Sequence, residues 1–151
     1  MDERGDMKLN LGVGRDALDG WVNVDIKQYT GVNVIWNLNI VPWPFENEQF
    51  DEILALDILE HIVDLTAVMD ECWRILQPGG EITIRGPVAG ELNHFADPTH
   101  LRGFMARSFN YYAANMQPGV EVPLIYGEGR WELTFAHKEN LNIWFKLTRL
   151  A

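Results

Sequence analysis

The chain has one cysteine, no basic cluster, no internal repeat and no apolar run near the length of a membrane span. A lone Cys72 cannot form an internal disulfide, which fits a reducing cytosol. Lys and Arg number 12 against 22 Asp and Glu, a formal net charge of −10, and the basic residues are scattered. Duplex-binding proteins draw much of their affinity from basic stripes, so this composition argues against a nucleic-acid partner. No segment approaches the roughly 20 apolar residues of a spanning helix, so no membrane partner is expected. Met1-Asp2-Glu3-Arg4-Gly5-Asp6 is polar and mostly acidic, unlike a signal or transit peptide, and a cytoplasmic location is expected. Without linkers or low-complexity tracts, the 151 residues are read as one domain, 1–151.

What is there reads as strands alternating with crossovers. Strands are expected at 8–11, 21–26 and 32–36, the first running into Gly12-Val13-Gly14. Pro42 and Pro44 then force an extended path. Residues 50–56 read as a fourth strand, apolar after Glu52 as in a strand covered on both faces. Leu65, Val68, Met69, Cys72 and Leu76 recur at helical spacing, with Asp64 as N-cap and Pro78-Gly79-Gly80 as the stop. A fifth strand follows at 81–85. Residues 88–130 are weakly patterned, with a helix expected near 108–116. Strands at 131–137 and 142–150, joined by Lys138-Glu139-Asn140, suit a closing hairpin. The sum is an α/β fold, a mostly parallel sheet with an antiparallel edge.

The glycine pair after the first strand allows a tight turn and close approach of a ligand; it is equally a plain strand-ending turn. Gly12-x-Gly14-x-x-Ala17 satisfies the dinucleotide fingerprint, which raises a nucleotide-dependent oxidoreductase as one reading. Asp25 ends the second strand, where a carboxylate can accept hydrogen bonds from a ribose diol. Yet only eleven positions separate Gly14 from Asp25, leaving no room for a full crossover helix. A pyrophosphate would lose the helix N-terminus that holds it. A ligand with a ribose and no phosphate loses much less, and S-adenosylmethionine is such a ligand.

Leu9-Asn10-Leu11-Gly12-Val13-Gly14, Gly20-Trp21-Val22-Asn23-Val24-Asp25, the block from Trp43 to Asp51, Leu59-Glu60-His61 and the block from Arg74 to Gly80 occur in a characteristic order. In this the chain resembles class I S-adenosylmethionine-dependent methyltransferases, in the small bacterial and phage-like branch. The resemblance implies a Rossmann-like seven-stranded sheet, mostly parallel with an antiparallel edge hairpin; the short gap from Gly14 to Asp25 leaves its first crossover helix shortened or missing. It implies S-adenosylmethionine as cofactor. The methionine end would lie over Gly12, Val13 and Gly14, flanked by Asn10 and Leu11. Asp25 with Ile26 would hold the ribose, and Asn37, Leu38 and Asn39 the adenine. Leu56, Asp57, Ile58 and His61 would sit beside the amino acid and sulfonium. Asn10 and Asn37 stand where relatives often carry acids. Few residues precede the first strand, which would leave the site open, closed by the partner of a homodimer, or covered by another segment.

For chemistry, His61 is read either as a general base near the methyl group or as a residue that orients its loop. His94, Asp97, His100 and Arg102 form a second cluster of candidate catalytic residues. They could equally be a structural network; a metal reading is disfavoured by Pro98 between the ligand-type side chains, and no metal is assigned. The 88–130 segment is the longest crossover and is expected to be a substrate lid, with most of its aromatics in the core. Cys72 is expected in the core. The function expected is an enzyme, a methyltransferase acting on a small molecule, a glycan or a peptide. The alternative is a non-catalytic cofactor-binding or assembly module.

Overall fold

A computed structural model describes residues 5–119 and 125–151. Its centre is a seven-stranded sheet in the order β3-β2-β1-β4-β5-β7-β6. The strands are β1 (Lys8–Leu11), β2 (Val22–Asp25), β3 (Val34–Ile35), β4 (Phe50–Leu56), β5 (Leu76–Pro87), β6 (Trp131–Glu139) and β7 (Asn142–Arg149). β1 to β5 pair in parallel, while β7 runs antiparallel to both β5 and β6. The expected seven-stranded sheet and antiparallel edge hairpin are therefore present. Two early strands are shorter than their sequence signal. β3 keeps two residues, because it pairs only through Val24 with Val34 and Asp25 with Ile35.

The main helix, α1 (Leu65–Ile75), starts where Asp64 Oδ1 accepts the Ala67 N–H at 3.0 Å. Leu76, expected on its last turn, is already extended and opens β5, although it stays buried. Glu71 accepts from Trp43 N at 2.8 Å and from Arg74 at 2.8 and 2.7 Å. Arg74 also donates to Phe45 O and Asn47 Oδ1. Burial pushes the Glu71 carboxyl up, but these bonds outweigh it and hold it below the usual carboxylate range. They fasten the proline-rich 42–47 path to α1.

β4 corrects an expectation. Ile53 and Ala55 are buried, but Glu52, Leu54 and Leu56 are only half-buried. The same alternation crosses the sheet through the paired positions. Leu9, Leu11, Ile82, Ile84, Phe145 and Leu147 lie on the buried face with α1. Lys8, Glu81, Thr83, Arg85, Trp144 and Lys146 lie half-exposed on the other. On that second face Lys8–Glu52 and Lys146–Glu81 ion pairs lie at 3.1 and 3.4 Å, half-exposed to solvent. The strand is thus covered on one side, and its run of apolar residues overstates its burial.

The expected helix at 108–116 is two single 3₁₀ turns, Asn110–Tyr112 and Ala114–Met116. Ala113 between them bridges to Trp131, and Asn115 exchanges two hydrogen bonds of 2.9 Å with the Leu133 backbone. Side-chain bonding to a strand displaces the helical ladder. Phe104, Phe109 and Tyr112 pack in the core, with Phe109 4.6 Å from the Phe145 ring. Cys72 is buried there as expected. A short helix absent from the sequence reading, α2 (Leu92–Ala96), precedes Pro98.

Candidate functional site

The carboxyl ends of β1, β2, β4 and β5 share one edge of the sheet, the edge where open α/β sheets hold ligands. Gly12 leaves β1 with φ +62°, and a Cβ there would come within 2.5 Å of the Ile58 side chain. Only glycine lets the turn pass beneath Ile58. Gly14, at φ +54°, faces open space. Its N–H donates to Asp25 Oδ2 at 2.8 Å, and Lys27 N donates to Oδ1 at 2.9 Å. Each Asp25 oxygen keeps acceptor capacity for a further partner. No helix follows the turn, since the Asp16 N–H simply closes on Val13 O at 2.8 Å. The dinucleotide pattern therefore lacks its phosphate-binding helix, and the oxidoreductase reading loses its support.

Three cavities open along this edge, of about 770, 440 and 450 Å³. The largest runs from Asp25 and Ile26 past Trp36, Asn37, Leu38 and Asn39 to Ile58. The second surrounds the glycine turn with Asn10, Val13, Leu56 and Arg85. The third is polar, with Glu60, His61, Asn93, Asp97, His100 and Asn142 on its walls. Asp57 borders all three, while His61 and Asp97 border the first and the third. These sizes are those of small-molecule sites.

Most cofactor residues expected from sequence line these cavities, with refinements. Leu11 is in the hydrophobic core. Asn10 is buried and donates to Asp16 O and Asn23 Oδ1, both at 3.2 Å, so its amide shapes the glycine loop. Asn39 accepts from Val63 N at 2.9 Å, tying the first cavity to the 3₁₀ turn Leu59–His61. Asp57 adopts φ +57°, a strained conformation for a non-glycine residue. It pairs with Arg85, which also lies 5.2 Å from the Trp144 ring. Arg85 and Trp36 also border the site, and neither was singled out from the sequence.

The expected catalytic cluster divides. Arg102 donates to the carbonyls of Leu59, Ile62 and Val63, holding the 3₁₀ turn in place. His94 accepts from Gly90 N at 3.0 Å and stacks on Phe95. Neither borders a cavity described above, so their geometry is that of loop supports. His61, Asp97 and His100 do converge. Thr99 Oγ1 donates to Asp97 Oδ1 at 2.7 Å and lies 3.0 Å from His61 Nδ1. The Thr99 hydroxyl and N–H hold the Asp97 carboxyl below its ordinary value. The His61 and His100 rings meet edge to face at 4.8 Å.

Glu60 was missed by sequence reasoning. It is 1% exposed, and its Oε1 lies 3.8 Å from His100 Nε2. Burial pushes its carboxyl up to about 7; the charge of Asp57 adds to this, while a backbone hydrogen bond, His100 and Arg85 oppose it. A charged residue inside the apolar stretch 58–62 was the available signal.

A family model described as "Methyltransferase domain" matches residues 9–84. The ubiquinone biosynthesis O-methyltransferase of Pseudomonas fluorescens (strain Pf0-1) is 32% identical over 65 residues, covering 43% of this chain and 25% of that protein. The chain thus spans about a quarter of the length of this curated relative. Among solved structures, a Burkholderia thailandensis 1,6-didemethyltoxoflavin-N1-methyltransferase with bound S-adenosylhomocysteine superposes with a TM-score of 0.68. Its identity is 13%, over 98% of this chain and 72% of that one. An S-adenosylmethionine-dependent methyltransferase from Archaeoglobus fulgidus gives 0.67 at 12% identity, over 96% and 87%.

The fold and the groove define a class I, Rossmann-like methyltransferase architecture. The chain belongs to the methyltransferase-domain family, with S-adenosylmethionine as its cofactor. The residues present fit that cofactor. Asp25 offers two oxygens to a diol, and the cavity wall of Ile26, Leu38 and Ile58 suits a flat apolar ring. Arg85 offers a cation to a carboxylate beside Gly14. Among the described residues no helix is long and apolar enough to cross a membrane.

Proposed function

We propose that the chain transfers a methyl group from S-adenosylmethionine to a polar acceptor, a small molecule, glycan or peptide, bound in the third cavity. One observation carries the reading: Asp57 borders all three cavities, and His61 with Asp97 borders both the cofactor groove and the polar cavity. A methyl donor in the groove and an acceptor in the cavity would meet at that junction, which is what in-line transfer requires.

The cofactor supplies an electrophilic methyl carbon; the chain's residues bind and orient. Asp25 holds the ribose hydroxyls, Asn37 and Asn39 lie along the adenine end, and Arg85 faces the amino-acid carboxylate. On the acceptor side Thr99 spends its hydroxyl hydrogen on Asp97, so His61 Nδ1 donates to Thr99 and Nε2 keeps its lone pair. His100 Nδ1 lies 3.2 Å from the His94 carbonyl, which fixes the same tautomer. Asn93, Ala96, Asp97 and His100 wall the cavity, which supports the lid expected of this insert, while Phe104, Phe109 and Tyr112 serve the core.

The test is calorimetry with S-adenosylmethionine, followed by radiolabelled methyl transfer to pooled metabolites, oligosaccharides and peptides. Micromolar cofactor binding with label in one acceptor class supports the reading. Absence of cofactor binding at high micromolar concentration refutes it. Cofactor binding without any labelled acceptor favours the non-catalytic module instead.

A further inference from the structure

We propose that Glu60, His61 and His100 form a binding site for a divalent transition-metal cation, of the zinc type, on the wall of the third cavity. One ligand-type atom from each of the three lies within 4.8 Å of the others. The inference rests on the acceptor-cavity reading above only for what the ion would serve, and its measurement needs no turnover.

The first argument is the tautomers. Both imidazoles have Nδ1 engaged, His61 with Thr99 Oγ1 and His100 with the His94 carbonyl. Metal-binding histidines are held this way, the far nitrogen donating to a carbonyl or oxygen acceptor so that Nε2 is left bare. Here Asp97 completes the arrangement, because it takes the Thr99 hydroxyl and so turns Thr99 into an acceptor for His61.

The second argument is unsatisfied charge. His100 Nε2 lies 3.8 Å from Glu60 Oε1 and 3.7 Å from Asp97 Oδ2. Those gaps are too long for direct hydrogen bonds and leave Nε2 between two carboxylates. Glu60 is fully buried, and its Oε2 has no hydrogen-bond partner among the described residues. A buried carboxylate in such surroundings calls for a cation or a proton.

The third argument is the donor set. Two imidazoles and one carboxylate are borderline ligands that suit zinc, iron or cobalt and are poor for magnesium or calcium. Bonds of about 2.1 Å place tetrahedral ligands about 3.4 Å apart. The observed 3.8 Å between Glu60 and His100 is near that value, and the widest spacing of 4.8 Å needs a closure of about 1.4 Å. The backbone is braced for it: Leu101 N donates to Glu60 O at 2.8 Å, and Arg102 grips the carbonyls on either side. Asp97 stands beside the triad as a further oxygen. Positions left open on the ion would face the cavity and favour an acceptor that offers oxygen.

Chelator-treated protein titrated with Zn(II) by calorimetry, and with Co(II) by visible absorption, decides the matter. The expected result is one site of micromolar or tighter affinity with Co(II) d–d bands. Glu60→Gln and His100→Gln should each weaken binding at least tenfold, and Thr99→Val should weaken it about tenfold through its hold on His61. Circular dichroism confirms that each variant is folded; should Glu60→Gln not fold, the half-buried His100→Gln carries the test. Millimolar binding, or equal binding in wild type and both ligand variants, overturns the site. S-adenosylmethionine is titrated in parallel with chelator present. Cofactor binding without metal binding sinks the cation site alone, whereas metal binding without cofactor binding sinks the methyltransfer reading alone.

Discussion

Replacing Gly12 and Gly14 separately by alanine separates backbone strain from packing at the cofactor turn. Both residues have positive φ, +62° and +54°, so alanine at either costs about 1 kcal/mol of strain in a left-handed conformation. At Gly14 nothing lies within 4 Å of the added carbon, so the cost should stop there. At Gly12 the carbon would lie 2.5 Å from Ile58 Cγ1 and 2.6 Å from Cδ1. Ile58 must be driven off Gly12, an overpacking cost of about 1–3 kcal/mol. The expected losses are therefore about 1 kcal/mol for Gly14→Ala and about 2–4 kcal/mol for Gly12→Ala. For a chain of this size these correspond to roughly 2–4 °C and 4–16 °C in Tm. Urea unfolding of both variants, of Ile58→Ala and of the Gly12→Ala/Ile58→Ala pair gives a double-mutant cycle. The cycle should show a favourable coupling of about 1–3 kcal/mol, because the smaller side chain removes the clash and leaves the strain. Equal losses for the two glycine variants, or no coupling to Ile58, would refute the reasoning.

Asp25→Asn should weaken S-adenosylmethionine by about tenfold or more, seen by calorimetry, since one charged acceptor for the ribose is lost. An unchanged affinity removes Asp25 from the ribose site. Arg102→Leu should lower stability by about 2 kcal/mol in urea unfolding through the three carbonyls it releases; a collapse of turnover at unchanged stability would restore the catalytic role that sequence suggested. Glu60 has a folded-state pKa near 7 against 4.5 ordinarily, so burial favours its neutral form. In chelator its contribution is then greatest below pH 4.5 and is lost as pH rises through 7, a fall of about 3 kcal/mol. Asp57, His100 and Arg85 face the same carboxyl, so the measurement is the difference between wild type and Glu60→Gln across that range. A difference independent of pH would show that Glu60 does not titrate there.

The glycine turn was legible because it is local in sequence. Gly12, Gly14 and Asp25 sit at strand ends within fourteen positions, and the short gap between Gly14 and Asp25 argued against a phosphate-binding helix, which the turn indeed lacks. The helix 65–75 was equally plain, since Asp64 and the apolar spacing state both its start and its face. The sheet's burial was not. Leu54 and Leu56 read as the inner positions of a doubly covered strand, yet the partners beside them include Thr83 and Arg85 on β5. Strand periodicity reports side-chain polarity one strand at a time; whether a face is covered depends on the paired strands. Nothing in residues 50–56 alone reveals that their second face carries half-exposed ion pairs such as Lys8–Glu52.

The acceptor side failed for a related reason. His61 and His100 were candidates from sequence and line the third cavity, but Glu60, which lies beside them, reads as one more charge in a loop. Its burial follows from contacts about 40 positions away. Leu101 N donates to Glu60 O, and the Arg102 guanidinium donates to the Leu59 carbonyl and to those of Ile62 and Val63 just past the turn, so the insert folds its own backbone onto that turn. His94 and Arg102 were candidates for chemistry because they follow β5 in the chain, whereas the regular backbone of α2 stops at Ala96, before Pro98. After that break, His94 and Arg102 point into loop bonds, and only Asp97, Thr99 and His100 reach the cavity. Spacing locates side chains only where the backbone is regular. In an irregular insert it is backbone hydrogen bonds, here from Leu101 to Glu60, that decide which polar residues meet.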